Sequence, residues 1–137
     1  MLDSELIGLW SNDALYGMGA QSDDWLIFKP DGTGRYEFLN WMLCSAELFR
    51  WETPRPGVLH LVGQRHLQIS EDLKSVEEQP SLLGTREVPY TIVEEDTPRH
   101  GRIRVLRLPF EMPMRDRFGF SRAALNGLEE LEFKLEK

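Results

Sequence analysis

An all-β fold, an eight-stranded antiparallel up-and-down β-barrel with little helix, is what this sequence predicts, and three observations carry it. The first is a turn, Pro30-Asp31-Gly32-Thr33-Gly34: Pro30 presets φ, Asp31 bonds its own following backbone, and Gly32 supplies the positive φ that closes a short hairpin. The second is the alternation beyond it, where Tyr36 and Phe38 interleave with Arg35 and Glu37, a period of two that puts the apolar groups on one face. The third is the succession of apolar runs through mostly short links, because sequential antiparallel strands close into a barrel to remove exposed edges.

In chain order, Glu5–Ser11 is read as a first strand, and the polar, glycine-rich segment Asn12–Asp24 as a loop over one end. Trp25–Lys29 and Gly34–Trp41 form the hairpin, and Ala46–Glu52 is the next strand, with Phe49 and Trp51 alternating with Leu48 and Arg50. Two prolines in Thr53–Gly57 remove two donors and end that pairing. Val58–Ile69 is long for one strand, with Gly63 as a bend where it curls round the barrel. Charged Glu71–Arg86 is a connection with room for a short extra strand. Glu87–Glu95 and Arg102–Leu108 make a second hairpin, Pro109–Gly127 breaks the β rhythm as a loop or brief helical turn, and Glu130–Glu136 is the last strand.

A chain of 137 residues fits a single domain, 1–137, large enough to bury a core. With 23 acidic against 16 basic residues and no dense Lys/Arg run, the net charge of −7 argues against nucleic acid as a partner, since phosphates need cations to neutralise them. Cys44 is alone and forms no internal disulfide. The start, MLDSELIGLW, is acidic and has no long apolar run, so neither an export signal nor a membrane span is expected and cytoplasmic residence is the default.

Gly8-Leu9-Trp10 on the first strand, with the DGTG hairpin after it, resembles the G-x-W start of the lipocalin-like (calycin) β-barrels of compact bacterial type. The likeness extends over most of the chain as a strand pattern. It implies that Gly8 and Trp10 form a structural plug at the closed end, Trp10 lying under a basic side chain from a late strand, for which Arg104, Arg107 and Lys134 are the candidates. Fatty-acid-binding proteins share the G-x-W but need a helical pair after the first strand, and Asn12–Asp24 is too short and glycine-rich for one.

With this topology Met18, Met42, Met112 and Met114 fall in or beside loops at the end opposite the DGTG turn, as a flexible apolar rim round a mouth or as ordinary gap-fillers. Parity places Tyr36, Phe38 and Asn40 with Glu47, Phe49 and Trp51 on the inner face. That face reads either as a ligand-binding cavity, the cost of burying unpaired Asn40 and Glu47 favouring this, or as a solid core. Arg115 and Arg117, beside Phe118 in the mouth loop, could pair with a ligand anion or form a solvated turn. His60 and His66 are six apart and share a face unless the Gly63 bend separates them. No metal-ligand spacing, phosphate cradle or nucleophile motif occurs, so no cofactor, no metal and no catalytic set is expected. The functional expectation is a protein that holds a small apolar or amphipathic molecule inside the barrel. The alternative is a protein–protein interaction module, an adaptor or inhibitor working through the outer surface, for which the acidic charge and the segment Ser75–Gln79 speak.

Overall fold

The computed structural model describes residues 2–12, 15, 22–40, 42–70, 75–98, 100–109 and 117–122. Its strands are β1 (Gly8–Ser11), β2 (Ser22–Phe28), β3 (Thr33–Asn40), β4 (Met42–Arg55), β5 (Val58–Ile69), β6 (Val76–Gln79), β7 (Thr85–Pro89), β8 (Thr91–Thr97), β9 (Gly101–Arg107) and β10 (Arg117–Arg122). All pair antiparallel in one ten-stranded sheet of order β6-β5-β4-β3-β2-β1-β10-β9-β8, with β7 also on β5, and this hydrogen-bonded path does not return to its start. Among the described residues there is no α-helix, and no helix long and apolar enough to cross a membrane.

The β2–β3 turn forms as its residue types dictate. Gly32 sits at φ +87°, Lys29 N donates to Thr33 O at 2.9 Å, and Asp31 Oδ1 accepts from Thr33 N at 2.9 Å and from Thr33 Oγ1 at 2.6 Å. That hydroxyl, with the backbone amides, holds the Asp31 carboxyl below its ordinary value. Trp51 Nε1 then donates to Lys29 O and Thr33 O, both at 3.1 Å, so an aromatic anchor from β4 closes the same end.

From this end the alternation builds the core. Trp10, Leu26, Phe28, Phe49, Trp51, Leu61 and Leu106 bury together on one face, with the Phe28 ring 5.8 Å from Phe49 and 5.0 Å from Trp51, both edge to face. Each such ring contributes about 1.5–3 kcal/mol on burial. The opposite face is covered as well: Leu9 and Ile27 bury in one patch, Ala46 and Leu67 in another. Arg35 and Glu37, expected to be the polar side of the alternation, are only 3% and 0% exposed. The period of two is present in β3, but it separates two buried faces rather than core from solvent.

Several boundaries differ from expectation. β4 is continuous from Met42 to Arg55, taking in the anticipated mouth loop at 41–45 and passing Pro54, because a register irregularity between Glu52 and Arg55 absorbs the missing donor. The charged 71–86 segment supplies β6 and the start of β7, which lie end to end along one edge of β5. The expected strand Glu87–Glu95 divides at Tyr90, since Pro89 has no amide hydrogen with which to continue the ladder. β10 occupies Arg117–Arg122 where a loop or helical turn was anticipated, and the strand expected at Glu130–Glu136 lies outside the described residues.

Candidate functional site

Register carries one row of side chains across the core face. Phe120 stands opposite Trp10, Trp10 opposite Leu26, Leu26 opposite Tyr36, Tyr36 opposite Glu47, and Glu47 opposite His66. The row is apolar at the Trp10 end and polar at the His66 end.

At the apolar end Trp10 is fully buried and donates through Nε1 to Leu6 O at 2.8 Å. Its ring meets Phe120 edge to face at 5.0 Å, and the Arg104 guanidinium lies 4.1 Å from the Phe120 centroid and 5.8 Å from that of Trp10. Gly8 pairs with Phe28, beside the PDGTG turn. Of the three basic candidates for covering Trp10, Arg104 takes this place. Arg107 lies elsewhere, as described below, and Lys134 is outside the described residues.

At the polar end Tyr36 donates its hydroxyl to Asp24 Oδ2. Glu47, 1% exposed, receives four donors: Oε1 accepts from the Ser81 hydroxyl, from Leu82 N at 2.9 Å and from Leu83 N at 3.3 Å, while Oε2 lies 2.7 Å from His66 Nδ1. Gln68 Nε2 stands 2.8 Å from His66 Nε2. A carboxylate oxygen only accepts, so the hydrogen between Glu47 and His66 sits on Nδ1. Ser81 donates its hydrogen to the acid and not to the imidazole, so the cluster holds no Ser–His pair. Its work is to pin residues 81–83 against β4.

That pinning depends on Gly63. A Cβ there would lie 1.9 Å from Ser81 Oγ and 3.1 Å from Leu83 Cβ, so only glycine lets the segment approach. The same point is a bulge: Leu48 pairs with Arg65 and Phe49 with Gly63, leaving Gln64 as an extra residue in β5. It separates the two histidines. His66 turns into the core face, while His60 stays on the other, 27% exposed and 3.9 Å from Glu87.

The remaining sequence candidates are dispersed. Phe49 and Trp51 are buried in the packed core, Phe38 is half-buried, and Asn40 is exposed at the end of β3, so no cost of burial attaches to it. Phe118 is fully buried in β10, not at a mouth, because Phe118 and Phe120 alternate about Gly119 and continue the core face. Met18, Met112, Met114 and Arg115 lie outside the described residues, as does the Met42 side chain.

A recess that the sequence does not announce is a cleft of about 670 Å³ where the β7–β8 corner meets β9 and β10. Pro89, Tyr90, Leu108 and Pro109 form its apolar wall; Thr91, Glu95, Arg107 and Arg117 form the polar one. Arg107 alternates with the core residues Leu106 and Leu108, which puts the polar wall on the outer face. Glu95 bridges the two guanidinium groups: Oε2 accepts from Arg107 Nε at 3.0 Å and Nη2 at 2.8 Å, and Oε1 from Arg117 Nη2 at 2.6 Å. The bond from Arg107, with Arg117 adding to it, holds the Glu95 carboxyl below its ordinary range. Tyr90 donates its hydroxyl to Asp3 Oδ2, and burial followed by that carboxylate pushes its phenol well above the usual tyrosine value. These residues carry no local motif, Arg107 and Arg117 being 12 and 22 residues from Glu95, and only the strand pairing unites them.

Comparison with known proteins finds no matching family model, no matching curated protein and no matching solved structure. The site is therefore read from its own chemistry: an apolar wall, a half-exposed pair of guanidinium groups, and a single carboxylate between them.

Proposed function

We propose that this chain is a lipocalin-like barrel that binds a small amphipathic molecule, seated in the β7–β10 cleft rather than among Tyr36, Phe38, Asn40, Met42, Glu47, Phe49 and Trp51. Closure of the barrel belongs to this reading. β7 pairs with β5 as far as Pro89, β8 pairs with β9 from Thr91, and Tyr90 alone separates them, its N donating to Gly57 O at 3.0 Å. Taken as one bent strand, β7–β8 completes an eight-membered ring with β1 to β5, β9 and β10, and β6 is an addition on the edge of β5.

The observation that carries the binding role is the cleft itself. Its volume of about 670 Å³ lies within the 300–1,000 Å³ typical of small-molecule sites. An apolar wall beside a few placed polar groups is the arrangement that supplies affinity and orientation respectively. Native mass spectrometry of the purified protein is expected to show a bound small molecule that organic extraction removes. Thr91→Trp, which fills the cleft from an exposed strand position, is expected to abolish that mass. Persistence of the bound mass in the Thr91→Trp protein would place the ligand elsewhere and sink the assignment.

A second reading, an interaction module with a basic partner, is favoured by β6, which ends the hydrogen-bonded path and exposes Glu77 and Glu78. Capture of a basic protein that is lost at high salt and in Glu77→Lys/Glu78→Lys supports it, whereas capture indifferent to both excludes it.

A further inference from the structure

We propose that the ligand of the cleft carries a carboxylate, and that Glu95 occupies the place of that group when the site is empty. This rests on the small-molecule reading above and adds the chemistry of the head group.

The argument begins with an unfavourable pairing. Arg107 stands directly opposite Arg117 in the β9–β10 register and opposite Thr91 in the β8–β9 register. Like charges directly opposite on neighbouring strands destabilise a sheet. One carboxylate, Glu95, reaches both guanidinium groups, so two positive charges are met by one negative charge and the polar wall keeps a net positive charge. A surface ion pair serving stability alone has no need of the second arginine. A local departure from good sheet chemistry is the kind of feature that marks a functional position.

The donors are also incompletely used. Arg107 engages Glu95 through Nε and Nη2, leaving Nη1, and Arg117 engages it through Nη2 alone. Arg117 Nε is buried and has no hydrogen-bond partner among the described groups. A carboxylate that takes the place of Glu95 therefore meets donors already set out for it, with Arg107 Nη1 in addition. The fit is to a carboxylate in particular, because the carboxylate of Glu95 already satisfies both forks at 2.6 to 3.0 Å. A cationic head would face the excess positive charge, and a neutral one would leave the Arg–Glu–Arg bridge as it is. The apolar wall of Tyr90, Leu108 and the two prolines then receives the tail.

The test is isothermal titration of the full chain, at one salt concentration and neutral pH, with decanoate, decanol and decyltrimethylammonium. Decanoate is expected to bind at least about tenfold more tightly than either other probe, the difference that one charge-assisted contact supplies. The decanoate-to-decanol affinity ratio is expected to fall about tenfold in Arg117→Met and to rise in Glu95→Gln, which removes the competing carboxylate and frees both guanidinium groups. Equal affinity for decanoate and decanol overturns the carboxylate assignment while leaving an amphipathic site in place. A ratio that is unmoved by both substitutions overturns it as well. No binding by any of the three probes overturns the small-molecule reading along with it.

Discussion

Replacing Glu47 with alanine is expected to destabilise the protein by at least about 2 kcal/mol, because several donors gathered on one buried carboxylate are left without it. The effect follows from what remains behind. His66 Nδ1, the Ser81 hydroxyl and the Leu82 amide lose their acceptor, and Leu83 N keeps only its 3.1 Å bond to Ser81 Oγ; each donor left unsatisfied where it is buried costs about 1–3 kcal/mol before relaxation. Leu83, 1% exposed, belongs to the core cluster, so loosening the segment opens apolar contacts as well. Against a typical total of about 5–15 kcal/mol this removes a large share of the stability. Urea unfolding measures the loss, and hydrogen exchange at Leu82 and Leu83 locates it. A loss below about 1 kcal/mol, or retained protection of those two amides, rules out the anchoring role.

The buried pair on the other face of β3 is expected to behave in the opposite sense when both members are changed. Arg35 Nε lies 3.2 Å from Glu37 Oε1, with side-chain exposures of 4% and 0%. Burial raises the Glu37 carboxyl above its ordinary value although the neighbouring guanidinium opposes this, and burial lowers Arg35. Desolvation therefore outweighs attraction at both groups, which is the condition under which apolar replacement stabilises. Glu37→Leu alone should cost more stability than Arg35→Met/Glu37→Leu, because the single change takes away the carboxylate 3.2 Å from a buried guanidinium while the double change removes both desolvated groups. A carboxyl raised on folding contributes stability that is complete below its ordinary value of 4.5 and is lost as pH rises through the higher folded value. The advantage of the double variant should accordingly widen as pH rises through that window. Additive losses in the double-mutant cycle would falsify this account.

How much was legible in the sequence can be followed residue by residue. The PDGTG turn was legible because φ preferences are local, and Phe49 with Trp51 in the core because alternation survives as long as no residue is inserted. The destination of Arg35 and Glu37 was not legible: β3 reads as one apolar and one polar face, and whether the polar face meets water depends on what covers it. The prolines at 109 and 113 interrupt the rhythm before the RFGF run and point to a loop, although its own Phe-Gly-Phe spacing carries the period of β10. Glu47 is costly to bury as an isolated carboxylate, yet its donors come from residues 34 to 36 positions further on and, for His66, 19 positions on. The cleft was invisible for the same reason, as Glu95, Arg107 and Arg117 become neighbours only through the register of three strands.

The extra residue at the Gly63 bulge decides more than a bend. Before it, Leu59 and Leu61 enter the core; after it, His66 does, while Leu67 and Ile69 join the cluster on the other face. The side-chain period in a strand is two, so adding or removing one residue between Gly63 and Arg65 exchanges the two sets in a single step. The phase of the second half of β5 is thus held by Gln64, an exposed residue. A length change here acts on the imidazole, the Glu47 anchor and the outer apolar patch together.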